Sequence, residues 1–127
     1  MDVNNTWLHL LIRLEHMLME TERPAASRLF KAQGSRRLGV AQQQLHRERR
    51  EVLSICGRWG LTIALDEVRE AAQKLPLLDD LEEDYVELAK DYRGAAEIAE
   101  RLGDPIAAEW LQLRANIHDL QLFMLKS

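Results

Sequence analysis

The sequence predicts an all-α protein, a four-to-five-helix bundle that ends in an antiparallel α-hairpin. Three observations carry this. Apolar residues recur at steps of three and four through most of the chain, the spacing that aligns one face of a helix. Only three prolines and six glycines occur in 127 residues, and most fall between those patterns. Hydrophobic residues make up 46% and charged residues 30%, enough for a core and unlike a disordered chain. The length fits one domain spanning residues 1–127.

The first amphipathic helix uses Trp7, Leu10, Leu11, Leu14, Met17 and Leu18, with Thr6 as its cap. Pro24 breaks it and opens a short helix ending near Gly34. A longer helix runs from Arg36 to Arg58, turning Leu38, Ala41, Leu45, Val52, Ile55, Cys56 and Trp59 to one side, and "CGRWGL" stops it. Next, "IALDEVREAAQKL" offers Ala64, Leu65, Val68, Ala71, Ala72 and Leu75 to the core and ends before Pro76.

The C-terminal pair is the clearest. Leu81, Tyr85, Leu88, Tyr92, Ala95, Ala99 and Leu102 alternate steps of four and three, behind Asp79 and Glu82 as a helix start. Gly103 suits the left-handed stop, Asp104 caps the following helix, and Pro105 occupies its first turn. The stripe Ile106, Trp110, Leu113, Ile117, Leu120 and Met124 again alternates four and three and is expected to face the core. So short a turn requires antiparallel helices. The stretch "AAEIAERLGDPIAAEWLQLRANI" resembles the helix junction of tetratricopeptide-type solenoids, which implies only the helix–turn–helix itself. It has no second copy at fixed period, and the last helix is longer than those repeats use.

Two helices are apolar on a second flank. On the first these residues are Leu8, Ile12 and Met19; on the last, Ala108, Leu111, Ala115, Leu122 and Leu125. Such a helix is either central in its domain or covered by another chain. The second alternative makes Leu8, Ile12, Met19, Leu111, Ala115, Leu122 and Leu125 a partner interface, in a homodimer of coiled-coil kind or against another protein.

Charge is polarised within a net −4. Residues 1–22 sum to −3, 23–58 to +7 and 59–127 to −8. The basic block places Arg36, Gln43, Arg47, Arg50, Ser54 and Arg58 within about 80° on a helical wheel, a stripe about 33 Å long. Arg36, Arg47, Arg50 and Arg58 make a candidate phosphate row, with salt-dependent binding. The overall acidity and the lack of aromatics between the arginines set nucleic acid second to a protein partner. Glu48 and Arg49 sit where a core position falls between Leu45 and Val52. There they either fix register or a partner, or the helix overhangs the core.

Catalytic patterns are missing. The residues three before His9, His16, His46 and His118 are Thr6, Arg13, Gln43 and Ala115, so no Glu-x-x-His pair supports a di-metal bundle. His16 and Glu20 are spaced to pair on the surface, and His118 reads as a satisfied core or interface histidine. Cys56 shares the apolar stripe, reads as a buried small hydrophobe, and excludes an internal disulfide as the single cysteine. No Gly-Lys-Ser/Thr follows Gly34 or Gly39. No apolar run approaches the roughly 18 residues of a membrane span. The opening "MDVNNTWLHLL" lacks the basic lead of a secretory signal. The expectation is a cytoplasmic, non-enzymatic helical interaction module with no cofactor and no metal: an adaptor, chaperone-like protein or assembly regulator.

Overall fold

Two left-handed glycines set the ends of two long helices. φ is +77° at Gly103 and +72° at Gly60, a region that costs a residue with a Cβ about 1–2 kcal/mol. Each closes its helix with the same pair of bonds. Asp104 N–H donates to the Ala99 carbonyl at 2.9 Å and Gly103 N–H to that of Glu100 at 3.1 Å. Leu61 N–H donates to Cys56 at 2.9 Å and Gly60 N–H to Gly57 at 3.1 Å. These bonds use carbonyls that a helix end leaves open. Asp104 then caps the last helix, its Oδ1 accepting the Ala107 N–H at 3.1 Å. Gly103→Ala and Asp104→Ala are each expected to lower the unfolding free energy by about 1 kcal/mol, read as a lower urea midpoint at unchanged slope.

The computed structural model describes residues 3–22, 35–75 and 81–126. These form α1 (Val3–Thr21), α2 (Ser35–Arg58), α3 (Leu65–Lys74), α4 (Leu81–Arg101) and α5 (Pro105–Lys126). The chain is all-α and its helices pack as a bundle, with α4 and α5 forming the expected antiparallel hairpin. Thr6 lies inside α1, which begins at Val3, so it is not a cap. The short helix placed between Pro24 and Gly34, and the Asp79 start, lie outside the described residues.

The chain divides into two compact units, Met1–Leu10 with Leu78–Ser127, and Leu11–Leu77. In the first, α4 buries Tyr85, Leu88, Ala89, Tyr92, Ala95, Ala96, Ile98 and Ala99. The buried residues of α5 are Ala107, Ala108, Leu111, Ala115 and His118. This reverses the expected orientation of α5: Ile106 is 77% exposed, Leu113 50%, Leu120 59% and Met124 40%. Alanine explains the reversal. Small side chains on both buried faces let two backbones approach closely, and a stripe of Ile, Trp and Leu at that position would hold them apart.

In the second unit, α1 from Leu11 onward is held by both neighbours. Leu11, Leu14, Met17 and Leu18 are buried, as are Ala41, Leu45, Val52, Ile55 and Cys56 of α2 and Val68 and Ala72 of α3. Ala71 and Leu75 are half-buried, whereas Ala64 and Leu65, expected in the core, are exposed. Polar groups tie the helices as well. Glu15 of α1 meets the Arg49 guanidinium at 2.8 Å and that of Arg69 at 3.6 Å. Gln42 donates to the Thr21 carbonyl at 3.1 Å.

Candidate functional site

The outward face of α5 is the chain's most continuous exposed apolar surface among the described residues. Ile106, Leu113, Leu120 and Met124 line it, Trp110 and Ile117 are half-buried beside them, and Phe123 at its edge is 71% exposed. At 1.5 Å per residue the row is about 27 Å long. The alternating four-and-three spacing picks out these residues as one face, but spacing alone does not say which face turns inward. The usable signal was the alanine content of the other flank, matched by the alanines of α4.

The proposed interface set therefore divides. Leu111 and Ala115 are fully buried within the chain, because they form the inner face of α5. Leu8, Ile12, Met19 and Leu122 are half-buried, and the side chain of Leu125 lies outside the described ones. On α1 the main stripe is the buried one: Trp7, Leu10, Leu11, Leu14, Met17 and Leu18, together with His16 and Glu20, are all buried.

His118 sits at the centre of an aromatic stack in the α4·α5 hairpin. Its ring lies 5.6 Å from that of Tyr85 and 5.7 Å from that of Tyr92, at interplanar angles of 28° and 14°. Nδ1 donates to Gln121 Oε1 at 2.7 Å. Tyr92 meets Trp110 edge-on at 6.1 Å, and the Arg114 guanidinium lies 5.2 Å above the Trp110 ring. The histidine is a satisfied core residue. It also braces Trp110 indirectly, through Tyr92.

His16 and Glu20 do pair, with Nε2 3.1 Å from Oε1, but the pair is buried instead of superficial. Nδ1 also faces the Ala72 carbonyl at 3.3 Å. Helix α3 covers the flank that looked solvent-facing in sequence.

The basic row is partly placed. Gln43, Arg47, Arg50, Ser54 and Arg58 are all exposed on α2, opposite the buried Leu45, Val52 and Cys56. The side chain of Arg36 lies outside the described ones. Glu48 is buried, so the helix does not overhang the core at that point, and Arg49 is paired to Glu15 of α1.

A groove of about 520 Å³ runs along α4 and α5, lined in part by Arg93, Glu97, Glu100, Glu109, Gln112 and Asn116. Arg93 pairs with Asp119 across it. Its lining brings no nucleophile to a base. Cys56 is a buried free thiol, and burial pushes it up from 9.0 to about 11. The native thiol is therefore expected to react with iodoacetamide far more slowly than in urea-unfolded protein at the same pH. The unfolded thiol ionises near pH 9 while the native one keeps its proton. Stability present in full below pH 9 is then lost up to about pH 11, at no more than about 1.4 kcal/mol per pH unit. Denaturant titrations of wild type and Cys56→Ala across that window isolate the effect.

No described helix is long and apolar enough to cross a membrane. No family model, curated protein or solved structure matches the chain, so its own surface chemistry carries the functional reading.

Proposed function

We propose that the protein is a non-enzymatic helical interaction module that self-associates through the outward face of α5, serving as an adaptor, chaperone-like protein or assembly regulator. The observation behind this is the exposure of Ile106, Leu113, Leu120 and Met124 in one row. Large apolar side chains repeated along one helix face cost solubility unless something covers them. Each would contribute about 1–2 kcal/mol when covered, allowing for the part already shielded. A single cysteine kept as a buried thiol suits a reducing compartment, and we assign the cytoplasm.

The test is molar mass by light scattering on a sizing column, in about 0.1 M and about 1 M salt. Self-association through an apolar face gives twice the chain mass at both salts, and Leu113→Glu returns it to the monomer. A monomer at every accessible concentration refutes the proposal.

A second reading has its own support: every described member of the arginine row is exposed on one face of α2. Phosphate binding by that row predicts that duplex DNA anisotropy responds to protein with a steep salt slope, and that Arg47→Glu/Arg50→Glu removes the response. A response unchanged by the double substitution ends that reading.

A further inference from the structure

We propose that α5 pairs with the α5 of a second copy as a parallel two-stranded coiled coil, in which Glu109 of each copy meets Arg114 of the other. This rests on the self-associating reading above and adds the direction and register of the pair.

The exposed row has coiled-coil spacing. Ile106, Leu113 and Leu120 stand at d positions, and Trp110, Ile117 and Met124 at a positions, through nearly three heptads. The buried Ala108, Leu111, Ala115 and His118 then occupy b and f, on the other side of the helix. One helix thus carries two seams, one used by α4 and one largely open, with Trp110 reaching Tyr92 of α4 from the open one. At the centre of the open seam, β-branched Ile117 at a is flanked by Leu113 and Leu120 at d, the combination that favours two parallel strands.

The flanking positions give the direction. Glu109 and Asn116 are at g and exposed, while Arg114 and Gln121 are at e and half-buried. In a parallel, in-register pair, each g side chain faces the e side chain five residues further along the partner. Glu109 then meets the partner's Arg114, and Asn116 meets the partner's Gln121. Both matches are complementary, and the two-fold axis makes each twice. An antiparallel pair with coincident centres instead sets Arg114 against Arg114 and Glu109 against Phe123. Stacking on Trp110 holds the Arg114 guanidinium beside the seam before any partner arrives, which reduces the ordering cost of the pair.

Two measurements on the full chain test this. Ile106 is exposed, so Ile106→Cys leaves the fold intact, and Cys56 is buried. Under glutathione disulfide, a parallel pair gives an Ile106→Cys homodimer on non-reducing gels, while wild type gives none. An antiparallel pair gives no such band, and a disulfide appears only when Ile106→Cys and Met124→Cys chains are mixed. That result overturns the proposal and leaves self-association standing. Charge exchange is the second readout. Glu109→Arg and Arg114→Glu are each expected to weaken the dimer roughly tenfold, and the double exchange to restore it to within about twofold. A double variant as weak as the single ones also overturns the proposal. A wild-type chain that stays monomeric defeats this inference together with the reading beneath it.

Discussion

Leu111→Glu is expected to leave no folded hairpin, whereas Leu113→Glu keeps wild-type helicity and loses only self-association. The two residues are about 200° apart around α5. Leu111 has no exposed surface. Replacing it forfeits about 3 kcal/mol of burial and cavity energy, and it places a carboxylate in an apolar setting at several kcal/mol more. That total rivals the 5–15 kcal/mol by which an ordinary domain is stable. Leu113 is half exposed, so its glutamate stays in water. Urea titration followed by circular dichroism separates the two outcomes. Equal loss of structure in both variants would mean that the outward row is a folding element and not a surface.

His118→Ala carries the second large effect, about 3–4 kcal/mol of stability. The ring is 1% exposed and stacked on both Tyr85 and Tyr92. Removing it opens a cavity the size of an imidazole and ends two ring contacts of about 0.5–1.5 kcal/mol each. His118→Phe restores the stacking and gives up the bond to Gln121, so its cost should be about 1–2 kcal/mol. Thermal unfolding orders the three proteins as wild type, then His118→Phe, then His118→Ala. If the phenylalanine and alanine variants melt together, polar bonding and not stacking secures this position.

Helix ends were legible in the sequence because they depend on local chemistry. Gly103, Asp104 and Pro105 specify stop, cap and first turn within three residues, and the α2 end at "CGRWGL" works through Gly60 in the same way. Faces were less legible because they depend on what the other helix presents. Spacing put Ile106, Trp110 and Leu113 on the core side and Ala108 and Ala115 on the second flank, yet the alanines of α4 made that second flank the better inner surface. The same limit explains His16 and Glu20, whose spacing shows a pair but not the cover that α3 provides. Glu48 and Arg49 stood out correctly as charges near a core position. The place of Arg49 needed Glu15, more than thirty residues earlier in the chain.

The three-residue link from Leu102 to Asp104 also bears on the order of folding. Closing so short a loop costs little chain entropy, and the contacts made across it join residues near in sequence, the kind that form fastest. The α4·α5 hairpin should therefore be the part of its unit already assembled at the rate-limiting barrier. Destabilising substitutions at the turn would then slow refolding more than they speed unfolding. In this view Gly103 sets how soon α4 and α5 first meet, as well as where α4 ends.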